Sequence, residues 1–286
     1  MGNQNAESSS APDTIVLVHG LWVTPRSWEK WIDRYQTAGY HVLAPAYPGM
    51  EAEVEALNAD PSPIEGLTEA AVVERYADAI QSLERRPILI GHSFGGLVVQ
   101  ILLDHGFGAA GIAIDSVPPQ GIRTLPASQA KAGFPVLKNP ANRHRAVALT
   151  PQQFHYAFTN TLTEEDSAAV YERYHVPAPG RFVWDGVLAN FAPGHHGSYV
   201  NFHNDDRAPL LLIAGAEDHL EPLAIQRSTA KRYEKSGAIT ELKQFSGRGH
   251  YIIGQPGWEA VADYALSWAA DHSLADRAHA PEAVEA

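Results

Sequence analysis

Cysteine is absent from the 286-residue chain. Disulfides, thiolate metal sites and a cysteine nucleophile are therefore excluded, and redox chemistry says nothing about the compartment. Basic residues are in deficit, with 21 Lys and Arg against 33 Asp and Glu and a formal net charge of −12. Nucleic acid and anionic membrane surfaces are bound by clustered Lys and Arg, and no such cluster occurs, so neither is an expected partner. No run of about 18 apolar residues, the length a membrane-crossing helix needs, is present. Residues 1–13 have no basic start and no apolar stretch, so they read as a disordered lead-in rather than a signal peptide. Residues 273–286, rich in Ala, Glu and His without an apolar pattern, read as a disordered tail. No internal repeat is visible. These absences leave a cytoplasmic globular protein acting on a small molecule as the expectation, with a homodimer left open.

What is present is organised around Pro87-Ile88-Leu89-Ile90-Gly91-His92-Ser93-Phe94-Gly95-Gly96. A short apolar run stops at a Gly-x-Ser-x-Gly turn and Leu97-Val98-Val99 resumes with helical character, the strand, sharp turn and helix of a nucleophile elbow. Gly91 and Gly95 have no Cβ to collide with neighbouring main chain, so Ser93 would stand at the tip. The helix that follows would aim its free N–H groups and positive dipole end at the same point.

Other β-branched or apolar runs predict strands at Thr14–Val18, 41–45, 111–115, 209–214 and 239–245. Between the first and second, Trp28, Trp31, Ile32 and Tyr35 fall on one helical face and Gly39 supplies a stop; Val73, Tyr76, Ala77, Ile80 and Leu83 mark the helix before the elbow strand. Trp258, Val261, Ala265 and Trp268 mark a closing helix. Strand and helix alternate from residue 14 to 116, which implies a parallel sheet with helices on both faces. Residues 46–68, rich in Pro, Gly and acidic side chains, predict a long loop. The alternation breaks over residues 117–208, with helical pieces at 151–159 and 164–174, and returns over 209–272. The middle stretch is read as an inserted, mostly helical cap.

In a parallel sheet every strand ends at the same edge, so residues that follow different strands meet. His19-Gly20-Leu21, Ser93, Glu217-Asp218 and His250 occupy such positions. A serine hydroxyl needs a base of pKa near 7, and a histidine in that role needs a carboxylate to set its tautomer. Asp115 also follows a strand and is an alternative to Asp218 as that carboxylate. His195, His196 and His203 lack carboxylates at ligand spacing, so no metal site is expected.

The elbow, Val18-His19-Gly20, Gly215-Ala216-Glu217-Asp218 with Pro222, and Gly249-His250 together resemble the landmarks of the α/β-hydrolase superfamily, over nearly all of residues 14–272. The resemblance implies an α/β-hydrolase fold with a mainly parallel sheet of about six strands, without the opening antiparallel hairpin. It also implies Ser93 as nucleophile, His250 as general base, Asp218 as acid, and the backbone N–H groups of Leu21 and Phe94 as an oxyanion hole. The implied activity is that of a cofactor-free serine hydrolase on a carboxylic ester or lactone. The same triad could serve perhydrolase, haloperoxidase-like, C–C hydrolase or hydroxynitrile lyase chemistry, or remain in a ligand receptor. His19 and His92 are expected to hydrogen-bond loops. Trp22 and, among the cap aromatics, Trp184 are the candidate pocket walls.

Overall fold

The structure, a computed structural model, describes residues 11–191 and 193–273; the outer parts of the expected lead-in and tail lie outside the described residues. The chain runs β1 (Thr14–Val18), α1 (Glu29–Thr37), β2 (His41–Leu43), α2 (Val54–Ala59), α3 (Glu69–Gln81), β3 (Ile88–His92), α4 (Phe94–Asp104) and β4 (Ala110–Ile114). There follow α5 (Ala127–Leu137), β5 (Ala146–Val147), α6 (Pro151–Ala157), α7 (Glu164–Tyr174), β6 (Ala178–Pro179) and α8 (Gly180–Leu188). The chain then returns through β7 (Leu210–Gly215), α9 (Leu223–Tyr233), β8 (Thr240–Phe245) and α10 (Glu259–His272).

Six strands form one sheet in the order β2-β1-β3-β4-β7-β8, and every pairing is parallel. β1, β3, β4 and β7 are buried along their whole length, which is why they read as unbroken apolar runs, whereas no residue of edge strand β8 is fully buried. Registers such as Leu17↔Ile90 and Ile90↔Ile112 align the strand ends. Positions 19–22, 93, 115 and 216–218 therefore emerge along one edge. Helix α4 is apolar all round, with Phe94 to Leu103 all buried, because it sits in the middle of the molecule rather than on its surface.

Two local expectations are corrected. Residues 46–68 do not form a featureless loop, since they hold α2 and a short 3₁₀ turn at Ser62–Ile64. Helix α2 buries only Val54 and Leu57, and a helix of 6 residues is too short to display a period in sequence. On α3 the fully buried stripe is Val72, Tyr76 and Ile80, one position away from the expected Val73. Asp13, assigned to the lead-in, accepts the His41 N–H at 2.9 Å on its carbonyl.

Between β4 and β7 lie four helices and the antiparallel pair β5-β6. This stretch meets the rest of the molecule in part at the start of α3, where the Glu69 carboxylate packs so closely on Gly197 that a Cβ there would collide with it. Burial first, and then the Asp185 carboxylate on α8, raise the Glu69 pKa from 4.5 to about 7, with Arg181 opposing. An acid whose folded pKa exceeds its unfolded one holds its proton longer in the folded state, so this group's contribution to stability falls as pH rises from about 4.5 to about 7. Glu69→Gln is expected to raise stability at pH 8 by about 1–3 kcal/mol and to leave it unchanged at pH 4. Urea denaturation of both proteins at the two pH values checks this; equal differences at both would remove the titration from the explanation.

Candidate active site

β3 delivers His92 to the sheet edge, and the backbone then reverses at Ser93, with φ 58° and ψ −121°, before α4 starts at Phe94. The reversal is held from both sides. The Ser93 N–H donates to the Ile114 carbonyl at 2.9 Å, while the Ser93 carbonyl accepts the Gly96 and Val117 N–H groups at 2.9 and 3.0 Å. Glycine is required on either side because a Cβ at Gly91 would collide with the Gly95 carbonyl, and one at Gly95 with the Val18 carbonyl. Only Trp22, Ser93 and Asp115 have positive φ among the described non-glycine residues, at 62°, 58° and 42°. All three follow a strand at this edge, and such strain concentrates where the surroundings over-determine the backbone for function.

His250, on the loop after β8, is fully buried and its Nδ1 donates to Asp218 Oδ2 at 2.7 Å. Asp218 sits in the turn after β7, its other oxygen accepting the Leu220 and Glu221 N–H groups at 2.7 and 3.0 Å. A carboxylate fixed in this way sets the proton on Nδ1 and leaves Nε2 with its lone pair. Nε2 is buried and has no hydrogen-bond partner among the described residues. Nor does the Ser93 hydroxyl make a hydrogen bond among them, and Ser93 is only 2% exposed.

Two further histidines brace the loops. His92 donates from Nε2 to the His250 carbonyl at 2.8 Å, with the two rings 4.6 Å apart. His19 donates from Nδ1 to the Gly20 carbonyl at 2.9 Å and stacks on Tyr47, whose hydroxyl donates to the His19 carbonyl. Burial lowers the His19 pKa to about 4 and the His92 pKa well below its ordinary value, so both are neutral at pH 7. The loop they hold passes directly over Ser93, since a Cβ on Gly20 would lie 2.9 Å from Ser93 Cβ. Leu21 and Phe94 thus flank Ser93, and neither backbone N–H donates to an acceptor among the described residues.

Asp115, the alternative acid, is buried with Oδ1 accepting the Gly215 N–H at 2.6 Å and Oδ2 without a partner. Burial, then the nearby Asp218 charge, pushes its pKa well up, and the same two causes raise Glu221. The structure therefore brings His250 onto Asp218 and leaves Asp115 beside the pair, where burial and the Asp218 charge both disfavour its ionised form. His92, Asp115 and His250 are the group of potential metal ligands found among the described residues, with ligand atoms within 4.8 Å. His92 Nε2 and Asp115 Oδ1 are already committed to main-chain partners. His195, His196 and His203 are exposed and form no such group.

Phe158 meets the His250 ring edge-on at 4.8 Å, and Phe182 stacks on Phe94 at 4.6 Å. Trp22 is buried edge-on to Phe158 at 6.2 Å. Trp184 makes no ring contact with Phe94 or His250, although its indole nitrogen is buried without a partner among the described residues. Phe158 and Phe182 both lie within residues 117–208, the stretch read as the cap. Phe182 precedes Trp184 by two helical positions, so the two rings cannot share a face.

Residues 15–264 match the model of a family described as the alpha/beta hydrolase family. No curated protein matches the sequence. Among solved structures, a monoacylglycerol lipase of Paleococcus ferrophilus is 20% identical with a TM-score of 0.62, over 92% of this chain and 96% of that one. An extracellular alpha/beta-hydrolase from a Paenibacillus species, described as sharing structural and functional homology with tobacco salicylic acid binding protein 2, is 19% identical with a TM-score of 0.65, over 90% and 98%. A variant of tomato methylketone synthase I in complex with beta-ketoheptanoate is 16% identical with a TM-score of 0.62, over 93% and 100%. At these identities the likeness is one of fold.

Proposed function

The chain belongs to the alpha/beta hydrolase family, and from that premise we propose that it is a serine hydrolase that cleaves a carboxylic ester or lactone of a small to medium, largely apolar substrate. The observation that carries this reading is the His250–Asp218 hydrogen bond of 2.7 Å, which leaves a buried Nε2 lone pair unused beside the strained Ser93 turn. Esterases and lipases among the structural neighbours support the same class.

In this reading Ser93 Oγ attacks the acyl carbon as His250 Nε2 takes the hydroxyl proton. The Asp218 carboxylate stabilises the resulting imidazolium. Negative charge on the carbonyl oxygen is met by the Leu21 and Phe94 N–H groups and the N-terminal dipole of α4, which need no reorganisation when the charge develops. The imidazolium gives its proton to the departing alcohol, and the acyl-enzyme is then cleaved by water activated by the same histidine. Residues 117–208 act as the cap, with Phe158 and Phe182 as apolar walls above the reacting centre. Neutral His19 and His92 add no positive charge that would compete with the imidazolium for Asp218.

Mixing the enzyme with excess p-nitrophenyl acetate should release a burst of p-nitrophenol with an amplitude close to the enzyme concentration, followed by slower turnover. Parallel assays on lactones and longer esters then define the substrate class. Absence of both burst and turnover across esters and lactones would overturn the proposal in favour of non-ester chemistry or a receptor role.

A further inference from the structure

Trp22 is not held the way a pocket wall needs to be held. Its indole Nε1–H donates to the Val147 carbonyl at 2.9 Å, and its own carbonyl accepts the Val176 N–H at 3.0 Å. Both partners belong to the stretch between β4 and β7, at or beside the two-stranded β5-β6 sheet. The residue between those two bonds has φ of 62°, a conformation that a bulky side chain adopts only when its surroundings enforce it. Trp22 directly follows Leu21, and its ring packs edge-on against Phe158, which packs edge-on against His250.

Taking Leu21 as an oxyanion donor, as the proposed function does, we infer that Trp22 is a positioning residue that keys the oxyanion loop to the cap, so that the docked cap aims the Leu21 N–H at the reacting carbonyl. Loss of either bond lets Trp22 relax toward negative φ. That rotation turns the peptide on its N-terminal side and carries Leu21 with it. The acid and base loops are fastened to the same stretch, through Asn160 Nδ2 to the Glu217 carbonyl at 2.7 Å and the Tyr251 N–H to the Phe158 carbonyl at 2.8 Å. These two loops, however, have contacts of their own with the sheet, including His92 to the His250 carbonyl and the Ala216 N–H to the Phe245 carbonyl. The Gly20–Leu21 peptide that carries the Leu21 N–H is held on its carbonyl by His19 Nδ1 at 2.9 Å, whereas Trp22, the next residue, has its cross-bonds to the cap alone among the described residues. The cap therefore does more than select substrates: it completes the oxyanion hole.

Two variants break the two bonds from opposite sides. Trp22→Phe keeps a ring and loses the indole donor. Val176→Pro removes the N–H from within the cap, where His175 already has the extended ψ of 132° that a following proline requires. Each is expected to lower kcat on p-nitrophenyl acetate about tenfold with KM within about twofold, a fraction of the 10²–10³ that loss of a whole oxyanion donor costs. Hydrogen exchange at the Leu21 and Trp22 amides should quicken about tenfold or more in both variants, while Phe94 to Leu97 stay as protected as in the wild type. Unchanged exchange at Leu21 and Trp22, or a change confined to KM, overturns the proposal and returns Trp22 to a wall. Should Val176→Pro not fold, Trp22→Phe decides by the same readouts. If the wild-type protein neither turns over an ester nor is labelled at Ser93 by a fluorophosphonate, the hydrolase reading falls. The exchange arm still tests the keying in that case, and unchanged rates there would overturn it too.

Discussion

Ser93→Ala is expected to lower turnover by about 10⁶-fold, because nucleophile and base act as one unit and either alone is nearly useless. The wild-type protein should gain the mass of one fluorophosphonate adduct at Ser93, and the alanine variant should gain none. The structural reason is the cost the chain bears to place this hydroxyl. A φ of 58° with ψ of −121° in a residue with a Cβ is unfavourable by about 1–3 kcal/mol, and the turn stays because four backbone bonds and two obligatory glycines hold it. Alanine shares that strain and keeps the bonds, so the variant should fold with nearly unchanged stability while losing activity. Labelling of Ser93→Ala at the wild-type rate, read by intact mass, would place the nucleophile elsewhere.

Asp218→Asn should lower kcat by about 10⁴-fold in a folded protein. The amide can still accept the Leu220 and Glu221 N–H groups, so the turn survives, but its other end presents an NH₂ to His250 or loses the charge that stabilises the imidazolium. Asp115→Asn should cost far less. Burial and Asp218 both favour the neutral form of Asp115, and asparagine is close in shape and charge to a neutral carboxylic acid, with an oxygen still available to the Gly215 N–H. The pair therefore makes a sharp comparison, measured as kcat on the same ester with circular dichroism as the folding control. A larger loss at Asp115 than at Asp218 would transfer the role of histidine partner to the earlier strand and contradict the 2.7 Å bond as the productive one.

Much of this was legible in the sequence because it depends on short stretches. The buried strands were visible as unbroken apolar runs, since a strand covered on both faces has no polar side to interrupt it. The Ser93 turn was visible because glycine is the only residue that the crossing main chains tolerate at 91 and 95. The parallel order also followed, as alternation of strand and helix leaves few topologies. By contrast, α2 escaped because 6 residues carry less than two turns of periodicity.

Only the tertiary structure shows which of Asp115 and Asp218 meets a histidine, with Asp218 Oδ2 2.7 Å from His250 Nδ1. Both follow a strand, and the choice rests on which turn aims its oxygen at a histidine 32 residues beyond one of them. The same holds for His92, whose imidazole reaches the carbonyl of a residue 158 positions away, and for Trp22, whose indole finds a carbonyl 125 positions away. A side-chain donor meeting a main-chain acceptor leaves no trace in residue type at the acceptor, because every residue has a carbonyl. The roles proposed for Ser93, Asp218 and His250 could be read from which residues occur at strand ends. How the remaining loops hold them in place is set by backbone groups that the sequence does not distinguish, and it emerges only once the sheet and the segment above it are packed together.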